Sequence, residues 1–435
     1  MKPKIIFPLI AFLFGMSNMN AQEILTLEDA VKIALENNYE IKISKNDLRI
    51  DQTNVAVGNA GMLPIVTANV VDNNGVQNAS QTRTDGTVTA LDNARNNSLN
   101  YGVGLDWTVF DGFRMFARYD QLKELQKLGE AELKLTIITK ISDVNETYFD
   151  LVQQQQQLAA LDTTIVISNQ RLTLAQNRFT IGKASKLEVL NAQVDLNTDT
   201  TAMLRQKELY ANTKVLLNQI LARDPKIDFK VIDVIPVDTT LELAALNDLA
   251  IKQNPQLQAQ IINKNVTELQ LKQIKGARYP TLRLNTGYNF AETQSSIGFT
   301  TQTSSRGLTY GFAASMNIFD GFSQNRNEKI AKIQIENSQI AIEQQSLALN
   351  SQLTTAYQTY LTNIQLIDLE DKNETIAKQN LDITLDKFRI GTITTLEFRT
   401  AQLNYVNAKV RNSEAQYQAK LSEIALKELA GNLTF

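Results

Sequence analysis

The chain has 435 residues, room for two or three ordinary domains, with 20% charged residues and a formal net charge of −3. It has no cysteine and no histidine. That excludes a disulfide framework, thiolate chemistry, and histidine as general base or metal ligand. The mildly acidic balance argues against nucleic acid as a partner, and no motif asks for a cofactor or a metal.

Residues 1–21 read as a secretory signal. Lys2 and Lys4 precede a short apolar run at 5–14, and Ala21 offers a cleavage residue. The run is too short to span a bilayer as a helix, and no later segment supplies the roughly 20 apolar residues required. An exported chain is expected, and any membrane contact must come from something other than helices.

A helix is expected from about Thr26 to Gly61, opened by Thr26 as N-cap with Asp29 three residues on. Alternating runs follow. Tyr101, Val103, Leu105, Trp107 and Val109 oppose Gly102, Gly104, Asp106 and Thr108. Leu308, Tyr310, Phe312, Ala314, Met316 and Ile318 oppose a small, polar set. Leu282, Leu284, Tyr288 and Phe290 repeat the pattern, and the segment near 65–71 alternates less clearly. Half-buried strands of a soluble sheet would alternate in the same way. Lengths of about 10–13 residues, however, suit tilted membrane strands better than soluble ones. Aromatics near the strand ends suit interfacial belts. The polar stretches 78–97 and 292–306 read as long exposed loops.

"FDGF" then ends a strand twice, at 110–113 and 319–322, an offset of 209. Phe110, Asp111 and Gly112, with Phe319, Asp320 and Gly321, mark strand–helix junctions. The aspartates are placed to cap the helix and the glycines to ease the bend. Beyond each lies a long proline-free run. From Arg114 to Ile181 the only glycine is Gly129, giving a helix of about 100 Å. Val144, Leu151, Leu158, Ile165, Leu172 and Phe179 form a heptad seam. The second copy is weaker, with Glu374 breaking its register, and "QQQQQ" at 153–157 reads as a solvated face. Helices of about 32 and 39 residues flank the long one and could pair along its whole length.

The chain is thus one unit used twice. "RFTIG" at 178–182 matches "KFRIG" at 387–391, again 209 apart, and "IALENN" at 33 matches "LAIKQN" at 249, 216 apart. The organisation is a signal at 1–21, a first repeat at 22–222, a linker with short strands at 223–241, and a second repeat at 242–435. Four strands cannot close a membrane barrel, so copies must share one. Two copies give eight strands and three give twelve; the small, polar inner faces favour twelve.

The duplicated order of strand, "VFDGF" or "IFDGF", and long helix, with the tip motifs "RFTIGKASKLEVLNAQ" and "KFRIGTITTLEFRTAQ", resembles the TolC-like outer-membrane efflux proteins over essentially the whole mature chain. The resemblance implies an α+β membrane protein. It would be a homotrimer with a twelve-stranded β-barrel in outer-membrane lipid, continued by a long antiparallel α-helical coiled-coil barrel in the periplasm. It also implies a passive exit duct for a tripartite efflux pump or type I secretion system, and no enzyme. The duct would be opened by a periplasmic adaptor and an inner-membrane transporter of RND, ABC or MFS class. Arg178, Phe179, Ile181, Gly182 and Lys183, with Lys387, Phe388, Ile390, Gly391 and Thr392, are the implied adaptor-docking tips. Glu397 matches an acidic ring at the periplasmic constriction, with Glu188 and Asn191 as further candidates. Thr400 stands where well-known members carry an acid, which leaves a second ring without its carboxylate.

Two rival classes are a periplasmic adaptor, whose strands would fold as a soluble domain, and a carboxylate-based enzyme. No paired acids stand in a glycine-rich context to support the enzyme.

Overall fold

The computed structural model describes residues 23–296 and 300–433; the expected signal at 1–21 lies outside them. The first half runs β1 (Glu23–Leu25), α1 (Leu27–Asn37), α2 (Tyr39–Asn54), β2 (Ile65–Thr82), β3 (Val88–Phe110), α3 (Arg114–Thr180) and α4 (Lys186–Ile220). After β4 (Phe229–Val231) the order repeats as α5 (Leu243–Gln253), α6 (Pro255–Gly276), β5 (Thr281–Ser295), β6 (Gln302–Ser315), α7 (Ser323–Ile390) and α8 (Thr395–Leu429).

Thr26 caps α1 as expected, accepting from Asp29 N at 3.1 Å. The helix expected to run on to Gly61 is instead two helices, broken at Asn38. The Asn38 side chain accepts from the N–H groups of Glu40 and Ile41, and its Nδ2 donates to Ile220 O at 2.8 Å. Asn254 does the same in the second half: it accepts from Leu257 N and donates to Leu429 O at 3.0 Å. Local capping outweighs helix continuity at both positions because each amide also closes the end of a distant helix.

β2, β3, β5 and β6 form one antiparallel sheet in that order. The register puts Val66 opposite Leu105, Ala68 opposite Val103 and Val70 opposite Tyr101, so the first strand shares the apolar face despite its unclear pattern. Tyr101 pairs with Phe290, and their rings stack at 4.8 Å. The expected loop at 78–97 is mostly strand: the β2–β3 ladder runs out to Thr82–Val88. Polar side chains hid it, but backbone hydrogen bonds hold a hairpin whatever its side chains. β6 stops at Ser315, short of the expected Phe319.

α3 and α7 have 67 and 68 residues, about 100 Å each. α3 packs on α4 along one stretch and on α2 and α6 along another, which realises the length match. Tyr148 lies in the largest core cluster, with Phe149, Leu151, Phe229 and Ile424. Its hydroxyl donates to Leu25 O and accepts from Ile232 N. Thus α3 clamps β1 against β4, which pair in parallel. "QQQQQ" is not a solvated face. Gln153 and Gln154 are buried; Gln154 donates to Thr213 Oγ1 on α4, and Gln153 to Glu414 on α8.

Candidate docking and gating site at the helix tips

Each long helix ends in a glycine that reverses the chain. Gly182 and Gly391 have φ of +72° and +82°, a region costly for any residue with a Cβ. The turns close alike: Lys183 N donates to Arg178 O and Thr392 N to Lys387 O, the 6→1 bond of a Schellman motif. The returning helices are capped by Ser185 and Thr394.

The two acids behave differently. Glu397 forms a full capping box: its carboxylate accepts from Thr394 N at 2.8 Å while Thr394 Oγ1 accepts from Glu397 N at 3.3 Å. The Thr394 backbone N–H, with its hydroxyl, holds the Glu397 carboxyl below the usual range. Glu188 instead faces Arg178 at 3.9 Å. Thr400 and Asn191 are exposed, and Thr400 returns its hydroxyl to Leu396 O.

Of the expected docking residues, Ile181 and Ile390 are 67% and 76% exposed and Phe179 is 44% exposed. Lys183, Lys387 and Thr392 are also on the surface. Phe388 is not: it is 1% exposed and stacks on Phe398 at 4.9 Å. It packs against Phe398 in a small core cluster and so shapes the tip from beneath. Arg178 lies over the Phe388 ring and donates to Phe388 O at 2.7 Å, tying the first tip to the second.

Two features escaped the sequence reading. Leu187 and Leu396, 209 apart, are 65% and 73% exposed on the first turns of α4 and α8. They enlarge the apolar tip surface, and their matched positions in the two motifs were the available signal. Higher up, Arg399 of α8 makes a two-pronged bond to Asp199 of α4, with both N–O distances 2.8 Å. Ser168 of α3 also donates to Asp199, and Gln402 donates to Ser168. Arg171 pairs with Asp195 beside them. The spacing of Asp195 and Asp199, four apart on one helix face, was a faint pointer.

At the opposite end of α3, the junction keeps its expected parts, with each aspartate acting from two residues before the N-cap position. Asp111 Oδ1 accepts from Met115 N and Asp320 Oδ2 from Gln324 N, so both aspartates cap the first turn. The N-cap position itself is held by Phe113 and Phe322, each left-handed (φ 66° and 63°) after a left-handed glycine. Phe110 meets Phe113 edge-on at 5.1 Å, and Phe319 meets Phe322 at 5.4 Å.

Among the described residues no helix is long and apolar enough to cross a membrane. The structure resembles the outer-membrane channel OprN, with a TM-score of 0.76 at 16% identity, covering 93% of this chain and 90% of that one. Among curated proteins, the outer membrane efflux protein BepC of Brucella suis biovar 1 (strain 1330) is 20% identical over 412 residues, 94% of this chain and 86% of its own length. The outer membrane protein TolC of Escherichia coli (strain K12) is 20% identical over 368 residues, 76% of this chain and 74% of its own. The family model described as "Outer membrane efflux protein" matches residues 30–223 and 246–432. Both matched segments hold a strand pair, a junction and a capped tip, so by repeat, fold and family model alike the chain belongs to the outer membrane efflux protein family.

Proposed function

We propose that the chain is an outer-membrane exit duct for an efflux or type I secretion system, working as a homotrimer. The observation that carries this reading is a four-stranded sheet whose edge strands, β2 and β6, pair with no other strand among the described residues, continuous through the two junctions with helices of about 100 Å. Open strand edges are not tolerated in lipid, so copies close one barrel, and twelve strands leave a passage. The coiled coils continue that passage into the periplasm. No step of this work is chemical; the chain supplies a path and a gate.

The tips take the two regulatory roles. Ile181, Leu187, Ile390 and Leu396, with Phe179, Lys183, Lys387 and Thr392, form the surface for a periplasmic adaptor, which couples the duct to an inner-membrane transporter. Glu397, one turn beyond the second tip, lines the constriction as a ring of three carboxylates, which favours cations. The Thr394 cap favours the charged form of Glu397.

Planar-bilayer recording tests this. Purified protein is expected to insert as stepwise, cation-preferring channels, and Glu397→Gln to weaken the preference. Purified protein that does not insert into the bilayer at all would overturn the duct reading; an unchanged preference in Glu397→Gln would overturn the gate assignment alone.

A further inference from the structure

Because the halves repeat, each contact between unlike halves has a counterpart that one chain cannot make with itself. Inside the chain α6 lies antiparallel to α3. Gln273 donates to Gln121 at 2.7 Å and Asn265 to Glu124 at 3.0 Å, and the Gly276 backbone meets the turn at Gly112. Moving the α6 positions back by 216 and the α3 positions forward by 209 converts this seam into one between α2 and α7. Within the chain, α2 packs on α3, and α7 packs on α6 and α8.

Both helices nevertheless carry bare apolar stripes at the matching level. Ile43, Ile50 and Val57, on α2 and the turn after it, are 59%, 59% and 44% exposed. Ile330, Ile333 and Ile340 on α7 are 47%, 54% and 60% exposed. The counterpart of Ile50 in the second half is Val266, which is 8% exposed. Carried across, Gln273–Gln121 becomes Val57–Ile330. Asn265–Glu124 becomes Arg49–Ile333, which puts Ile50 beside Ile333. One heptad further in each direction, Ile43 meets Ile340. Ile50 with Ile333 and Ile43 with Ile340 keep one antiparallel register, whereas Val57 and Ile330 sit about 6 Å off it along the axis, a gap that the longer Gln273 and Gln121 side chains span in the first seam.

The sheet gives an independent sign. β3 keeps its last residues in strand form by pairing with β5 alone: Trp107 faces Leu284 and Phe110 faces Leu282, after the β2 ladder has ended at Asp106. The same shift sets Met316 and Phe319 opposite Ala68 and Val66 of another copy. That stretch lies just beyond the end of β6 at Ser315.

We infer that the stripe of α2 seats on α7 of a second copy of this chain, with Ile43 on Ile340 and Ile50 on Ile333. The inference rests on the shared-barrel reading and adds to it a defined register. The copies then meet through an apolar seam, while the two halves of one chain meet at the equivalent place through a polar one.

The chain has no cysteine, so introduced pairs are its only thiols. Ile50→Cys with Ile333→Cys and Ile43→Cys with Ile340→Cys are oxidised in membranes carrying the full chain. They are then run on denaturing, non-reducing gels. Each pair is expected to shift most of the chain from monomer to dimer and trimer bands. The single variants and the mismatched pair Ile43→Cys with Ile330→Cys, about 15 Å out of register, are expected to stay monomeric. If the uncrosslinked protein is trimeric in detergent by light scattering but the matched pairs do not link, the register is wrong and the duct reading stands. Equal linking by the mismatched pair also overturns the register. A particle of one chain overturns both.

Discussion

Arg399, about one turn into α8, and Asp199 hold the coil of the first half to the coil of the second just above the second tip. Their side chains are 11% and 8% exposed and meet at 2.8 Å. Removing one partner of such a pair leaves a buried charge and costs about 3–5 kcal/mol, whereas replacing both with apolar groups costs far less. Arg399→Met is therefore expected to lower the melting temperature sharply, with Arg399→Met/Asp199→Leu recovering much of the loss. Thermal melts of the purified protein check this; a double variant as weak as the sum of its singles would contradict it. The sequence could not reveal the pair, because nothing in it says that residues 200 apart meet. The tip glycines were legible, because only the peptide conformation matters there, and it is written in one residue. Phe388 shows the limit of residue-level reading. Its motif partner Phe179 is largely exposed, yet Phe388 is buried, because only the second copy has Phe398 to stack on.

At the scale of elements, the break between α1 and α2 is the main surprise. "ENNYE" contains neither proline nor glycine, so the first copy alone reads as one helix. The second copy reads "QNPQ": Pro255 follows Asn254 at the position of a first helical residue, where its missing N–H costs nothing. The signal existed, but only in the repeat. Each asparagine both caps one helix and donates its amide to the end of another. Asn38→Ala and Asn254→Ala should each cost about 1 kcal/mol through the cap alone. Asn38→Asp should not recover stability, since a carboxylate keeps the cap but cannot donate to Ile220 O. Melting curves of the three variants decide; full stability in the aspartate variant would mean the tie to α4 contributes nothing. The long helices were legible from proline's absence, while the outer hairpin ladder was not, since polar strands carry no apolar alternation to read.

For the whole molecule, the unfinished end of β6 is informative. If another copy completes it, alternate amides of the stretch from Met316 to Phe319 should exchange slowly in the assembled protein. They should exchange rapidly in an Ile50→Asp/Ile333→Asp variant that cannot assemble. Hydrogen-exchange mass spectrometry reads this directly, and equal exchange in both would count against shared closure.

If three copies close one ring, as proposed, the polar seam between α6 and α3 bears on how a ring of six similar units counts to three. Six near-identical walls could join in any order, and a half could satisfy itself with the wrong neighbour. Amide and carboxylate pairs such as Asn265–Glu124 and Gln273–Gln121 cannot be exchanged for isoleucine without stranding a hydrogen-bonding group. A polar face therefore rejects an apolar one, and the chain tells its own other half from a stranger by solvation alone.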